Sequence, residues 1–250
     1  MGKVENNRRL ALITGSNRGI GRACVSAFAS EGYDVIAHAR KKSDEFENDI
    51  RHLAVAFGVM ITPVYFEMTD TAAMKDAIKT FIVASRGIDV LVNCAGVGHG
   101  VSFARTTVAQ IRQVFDVNFF SQLELTQLVM RNMVRHKSGS IINIGSISGL
   151  DLDPGNSAYG TSKAALMAFT KTLAAEIAAF GIRVNCVAPG LTDTGMGHSV
   201  KDNALAKMLG RSAMNRFANT SEISDVVLYL ASNKSAFVNG QVLRVDGGAA

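Results

Sequence analysis

Apolar positions along this chain fall into short unbroken runs, separated by longer stretches in which they recur every three or four residues. The runs are Leu10 to Thr14, Asp34 to Ala39, Ile61 to Phe66, Asp89 to Val92, Ser140 to Ile144, Arg183 to Ala188 and Gln241 to Val245. A short apolar run bounded by glycine or polar turns predicts a strand buried on both faces. Helical periodicity predicts helices from the glycines near residue 19 to about Ser30, from Ser43 to Phe57, as one long helix from Thr107 to Arg135, and from Ala158 to Phe180, where Gly181 stops it. Strands alternating with helices imply an α/β chain. Its expected form is a doubly wound sheet of seven mainly parallel strands, with helices on both faces and right-handed crossovers.

Composition narrows this picture. A chain of 250 residues suits one domain behind a polar leader at 1–9, and no repeat or linker divides it. Hydrophobic content of 48% against 19% charged predicts a soluble protein with a sizeable core. No apolar run is long enough to cross a bilayer, and the start MGKVENNRR has no apolar signal core, so a cytoplasmic protein without membrane partners is expected. Cys24, Cys94 and Cys186 are an odd count without a CxxC pair, which predicts buried small side chains and no metal. The net charge of +5 and pI near 9.2 are spread thinly, with local clusters only at Arg8-Arg9 and Arg40-Lys41-Lys42. No nucleic-acid motif accompanies them, and an anionic cofactor or substrate is the better reading.

Candidate chemistry gathers at predicted carboxyl ends of strands, where ligands of such sheets bind. The first strand runs straight into Gly15-Ser16-Asn17-Arg18-Gly19-Ile20-Gly21 and then a helix, an order that places backbone N–H groups beneath a pyrophosphate. The fourth leads into Asn93-Cys94-Ala95-Gly96, small enough for backbone to approach a ligand closely. Ser146 follows the fifth and Pro189-Gly190 the sixth. Tyr159 and Lys163, four residues apart on one helix, share a face. A neighbouring ammonium favours a phenolate, so this spacing predicts a tyrosine of lowered pKa that exchanges a proton.

Taken in order, Thr14-Gly15-xxx-Gly19-x-Gly21, Asn93-x-Ala95-Gly96, Asn118, Ser146, Tyr159-xxx-Lys163 and Pro189-Gly190 resemble the short-chain dehydrogenases/reductases of the classical type over essentially the whole chain. TGSNRGIG, IINIGSISG and NGQVLRVDGG look most like its 3-oxoacyl-(acyl-carrier-protein) reductases. The resemblance implies a Rossmann-type fold and a catalytic set of Asn118, Ser146, Tyr159 and Lys163. Tyr159 would give a proton to a developing alkoxide, and Ser146 would hydrogen-bond the substrate oxygen. Lys163 would also hold the nicotinamide ribose, and Asn118 would hold a water linking Lys163 to solvent. Cofactor contacts are expected at Gly15, Asn17, Arg18, Gly19, Ile20, Gly21, Arg40, Glu67, Met68, Asn93, Ala95, Gly96, Tyr159, Lys163, Pro189, Gly190 and Thr192.

Charge selects the cofactor. The second strand ends at Ala39 where a carboxylate would repel a 2'-phosphate, and Arg40 follows, with Arg18 in the glycine turn, so NADP(H) is expected over NAD(H). Glu67-Met68 stands where the family usually has Asp and an apolar residue against the adenine.

Residues 191–217 are expected to form a substrate lid, in which Met196, Met208 and Met214 either line an acyl pocket or pack on the core. His99 and His198 border the pocket or lie on the surface; Asp151 and Asp153 select a polar or cationic substrate or cap a turn. Arg131 and Arg135 would present a basic approach to an acidic carrier protein, whereas Phe180 stands where carrier-protein reductases often have a basic residue. An alcohol dehydrogenase or carbonyl reductase of a diffusible ketone, sugar or steroid-like substrate therefore stays open. A non-catalytic dinucleotide-binding protein is the remote alternative. Small residues Ala164, Ala165, Ala168, Ala174 and Ala175 on the Tyr159 helix, by the same resemblance, imply self-association as a dimer or tetramer.

Overall fold

A computed structural model describes residues 8–83, 87–197 and 209–249. All seven expected strands form: β1 (Leu10–Ile13), β2 (Asp34–Ala39), β3 (Ile61–Tyr65), β4 (Val90–Asn93), β5 (Gly139–Ile144), β6 (Ile182–Pro189) and β7 (Val242–Val245). They pair in parallel in the order β3-β2-β1-β4-β5-β6-β7, so the direction of winding reverses between β1 and β4. At that reversal the crossovers leave to opposite sides and open a crevice above the strand ends.

Strand alternation divides the core in two. Ala11, Ile13, Val35, Ala37, Val90, Val92 and Ile142 point to one face, under α1 (Gly19–Ser30), α2 (Asp44–Phe57) and the last helix. Leu12, Ile36, Leu91, Ile141 and Val184 point to the other face, under α3 (Thr71–Val83) and the helices bearing Leu125 and Leu173. Local signals set the helix ends. Ser43 accepts from Phe46 N at 3.3 Å to start α2, and Gly58 at φ 63 ends it.

The expected single helix from Thr107 to Arg135 is instead three consecutive segments: α4 (Val108–Phe115), a π turn (Asp116–Phe120) and α5 (Ser121–His136). One extra residue per turn re-aims Asn118 inward without breaking the rod. Further helices include a short turn, α6 (Ser148–Asp151), the Tyr159-bearing α7 (Ser157–Ile177), and α8 (Thr220–Ala231), which packs on α1. The apolar period does not predict α3 or α8, which the structure adds.

Phe28 is fully buried in the first core, edge-on to Tyr33 at 5.0 Å between ring centres. Phe28→Ala should cost about 3–5 kcal/mol in urea unfolding; a loss below about 1 kcal/mol would mean this face is not closely packed.

Candidate active site

The glycine turn is shaped by contact rather than by flexibility. Gly15 has φ +68, and a side chain there would meet the Ala95 Cα at 3.0 Å; one on Gly21 would meet the Gly15 carbonyl at 2.2 Å. Arg18 begins α1 in extended backbone with no side-chain cap, so the opening N–H groups of that helix are left to a ligand. Gly96 faces Asn118 Oδ1 and Lys163 Nζ, which would lie 3.2 and 3.5 Å from an added Cβ. These are cradles that side chains would fill, and they fit the pyrophosphate and ribose of a dinucleotide.

Ser146, Tyr159 and Lys163 meet at the carboxyl edge. β5 ends just before Ser146, whose hydroxyl accepts from Ser148 N at 3.1 Å and lies close enough to the Tyr159 phenol to act on its pKa. Burial pushes the Tyr159 pKa up, and the Ser146 hydroxyl draws it partly back. Lys163 is buried and donates from Nζ to the Ile144 carbonyl at 2.7 Å. Burial lowers its pKa, against the nearby thiols Cys94 and Cys186. The expected lowering of the Tyr159 pKa is thus corrected: burial raises it, and the pull against burial comes from Ser146, while the Lys163 amine donates to the Ile144 carbonyl.

Asn118 is likewise committed. Its carbonyl accepts from Val97 N at 2.8 Å, and its amide donates to Val97 O at 2.9 Å and Ser162 Oγ at 3.1 Å. Ser162 in turn donates to the Tyr159 carbonyl at 2.7 Å. The side chain thereby clamps the loop after β4 to the Tyr159 helix.

The expected cofactor residues divide by position. Asn17, Arg18 and Arg40 are exposed around the turn, and Gly15, Gly19, Ile20 and Gly96 are half-buried. Ala95 and Gly21 are buried against Gly15. Glu67 is exposed and 3.9 Å from the Arg40 guanidinium, while Met68 is buried. Asn93 is fully buried, its amide donating sideways to Thr126 Oγ1 and Asn143 Oδ1 at 2.9 Å each, so its side chain is a strut beneath the crevice. Pro189 closes β6; Gly190 follows, packed on Asp246, and Thr192 bonds the Gly190 carbonyl at 3.0 Å.

At the base of the expected lid, Leu191–Asp193 and Ala218 pair through Asp193 N to Ala218 O and Ala218 N to Leu191 O, both 2.9 Å. Thr194 packs on Gly19, and Met196 lies over Gly98, whereas Met214 sits against Gly247. His198 and Met208 lie outside the described residues. His99 contacts Thr106 Oγ1 at 3.3 Å. Asp151 and Asp153 neither face the crevice as free acids nor merely cap a turn. Arg211 bonds Asp153 at 2.8 Å and Asp151 at 3.2 Å, and Arg244 bonds Asp151 at 2.7 Å, tying this loop to the segment at 209–217 and to β7.

Two further side chains brace the turns: Thr14, which heads the glycine motif, and His38, which the sequence does not single out. Thr14 Oγ1 accepts from both Cys94 N and Ala95 N at 2.9 Å. His38, on β2, bonds the glycine turn. A buried polar residue inside or at the end of an apolar run was the available signal.

A fold wound about this crevice, with a tyrosine, serine and buried lysine beside a glycine turn, defines a dinucleotide-dependent oxidoreductase of the α/β class. Residues 15–250 match a family model described as enoyl-(acyl carrier protein) reductase. The chain belongs to this short-chain dehydrogenase/reductase family. It is 35% identical to the 3-oxoacyl-(acyl-carrier-protein) reductase FabG of Thermotoga maritima, over 96% of this chain and 97% of that one. It is 33% identical to FabG of Escherichia coli K12, over 96% of each. The crystal structure of a protein designated gox2181 superposes with a TM-score of 0.90 at 30% identity, covering 98% of this chain and 97% of the other. Among the described residues, no cluster of three or more His, Cys, Asp or Glu forms a metal site, and no helix is long and apolar enough to cross a membrane.

Gly21→Ala should abolish dinucleotide binding, because its Cβ would have to displace the Gly15 backbone. Calorimetric titration of the folded variant checks this; wild-type affinity would show the turn is not the seat.

Proposed function

We propose that this protein is an NADPH-dependent reductase that converts a carbonyl to a secondary alcohol, with a 3-oxoacyl thioester as substrate. The observation that carries the reading is the meeting of Ser146, Tyr159 and buried Lys163 at the strand edge, beside the glycine cradle. The first two offer a hydroxyl and a protonated phenol to one carbonyl oxygen. The Thermotoga and Escherichia relatives bear the name of that reaction.

The bound nicotinamide would supply the hydride. Gly15, Asn17, Gly19, Ile20 and Gly21 would hold its pyrophosphate, and Lys163 its ribose. Arg18 and Arg40 would clasp a 2'-phosphate. The exposed Arg40–Glu67 pair, 3.9 Å apart, is weak enough for a dianion to displace. Ser146 holds the substrate oxygen in place, and Tyr159 passes it a proton from the phenol. Because burial holds Tyr159 protonated through neutral pH, reduction should fall only as pH rises through its elevated value.

Self-association is part of the proposal. Phe120 is exposed beside Phe115 and Phe119, and Ala168 and Ala175 are exposed on α7, leaving an unpartnered apolar face on the two helices expected to pair. Arg131 and Arg135 are exposed on α5, as a carrier-protein approach requires, while Phe180 at the end of α7 is exposed and apolar. That apolar end favours, as a second reading, a diffusible ketone. Free Cys24, Cys94 and Cys186 suit a reducing cytoplasm.

The test is NADPH consumption with acetoacetyl thioesters, crotonyl thioesters and simple ketones. Turnover of the first is expected. Turnover of crotonyl thioester alone would assign the enoyl reaction that the family description names, and turnover of ketones alone the diffusible substrate. None, despite tight NADPH binding, would leave a binding protein. Tyr159→Phe should lower kcat by at least about a hundredfold with NADPH affinity retained. Ser146→Ala should move the alkaline limb of the rate profile to higher pH, since it removes the hydroxyl that lowers the phenol's pKa. Arg40→Ala should weaken NADPH about tenfold more than NADH; equal losses would show that Arg40 does not read the phosphate.

A further inference from the structure

His38 is fixed at both ring nitrogens. Nε2 lies 2.9 Å from the Phe66 carbonyl, which can only accept, so Nε2 carries the hydrogen. Nδ1 then holds a lone pair, and it accepts from the Gly15 N–H at 3.2 Å. The His38 carbonyl also accepts from Ser16 N at 2.7 Å, and the ring lies over Phe66 with centres 4.0 Å apart. Residue 38 therefore holds the first two N–H groups of the glycine turn, one through its ring and one through its backbone carbonyl, and is only 2% exposed.

We propose that His38 is a positioning residue for the dinucleotide: its neutral ring sets the place of Gly15, and a second proton releases the turn and weakens dinucleotide binding in mild acid. The inference rests on the dinucleotide-dependent reading above. A doubly protonated ring would direct Nδ1–H at the Gly15 N–H. Gly15 cannot shift freely in response, since it is at φ +68 and packed on the Ala95 backbone, so the displacement passes into the turn that follows.

The groups around the ring set the pH range. Glu67, beyond β3, and the Phe66 carbonyl favour the charged ring; burial opposes it and dominates, so His38 titrates below an ordinary histidine. Arg40, on the strand end, is drawn to Glu67 at 3.9 Å. Arg18 of the glycine turn is exposed, the turn after β4 contributes apolar Ala95 beside Gly15, and α3 and α5 present Met74, Ile78 and Leu125 to this sheet face. With the folded value below the unfolded one, the neutral ring's contribution is complete above about pH 6.5 and is lost as pH falls from there towards the folded value.

Calorimetric titration with NADP+ at about pH 7.5 and about pH 5.5 tests this on the wild type, His38→Asn and His38→Phe. Asn offers an acceptor near Nδ1 that does not titrate, and Phe keeps the stacking alone. Wild-type affinity should fall about two- to threefold more than that of the Asn variant across this range, because the lowered value leaves the ring only partly charged at the acid end. The ligand's own phosphate titration, near pH 6, is common to all three proteins. The Phe variant should bind weakly at both pH values, with KM for NADPH raised and kcat retained. Hydrogen exchange of the Leu12–Ile20 peptide in the wild type reads the same event without a substitution, as lost protection in acid beyond the intrinsic rate change. Equal pH dependence in wild type and the Asn variant, or unchanged protection, would overturn the inference. Failure of the wild type to bind NADP+ at either pH would instead sink the proposed function, and the exchange experiment would still decide whether His38 holds the turn.

Discussion

One hydroxyl joins the two halves of the sheet where the crevice opens. The last paired residues of β1 and β4 are Ile13 and Val92. Beyond them Thr14 Oγ1 donates to Val92 O at 3.3 Å and accepts from Cys94 N and Ala95 N at 2.9 Å each. A hydroxyl has one proton and two lone pairs, so its capacity is fully used. The glycine turn after β1 and the small-residue turn after β4 are thereby held in register without a continuing ladder. Ala95 can then close against Gly15, and the Gly96 gap opens beside Asn118 and Lys163.

Buried amides extend the same constraint across the sheet. Asn93 donates to Asn143 and Thr126, Asn143 to Thr170 on α7, and Gln122 on α5 to the Ala95 carbonyl. In a dry interior each bond is costly to lose, because its former partner stays unsatisfied. The helices bearing Asn118 and Tyr159 are therefore pinned to β4 and β5 by directional contacts as well as by apolar packing. Asn118 completes the circuit through Val97 and Ser162 to the Tyr159 backbone. The site's geometry rests on neutral hydrogen bonds, which salt does not screen.

Much of this was legible from residue patterns. Continuous apolar runs located every strand, since strands covered on both faces leave no polar alternation to confuse the pattern. Ser43 and Gly58 fixed α2 because cap residues act locally. The π turn was not legible: adding one residue to one turn leaves the apolar period almost unchanged over a helix of that length. The fates of Asp151 and Asp153 were equally hidden, since their partners Arg211 and Arg244 are distant in the chain and pair only after folding. His38 sat in a run whose apolar character concealed it, and only the meeting of three strand ends gives its ring two partners.

The tyrosine and lysine illustrate how spacing can give the correct neighbours and the wrong balance. A helical turn brings them to one face, yet burial moves their titrations apart, the phenol upward and the amine downward. Each shift favours a neutral group, so the phenolate–ammonium pair is the disfavoured state of this enclosed edge. Ser146 is then the residue that offsets burial at the phenol, and Ile144 fixes the amine through its carbonyl. An edge that keeps its phenol protonated is prepared to give a proton. Reduction thus begins from the resting state, whereas oxidation first requires that proton to leave.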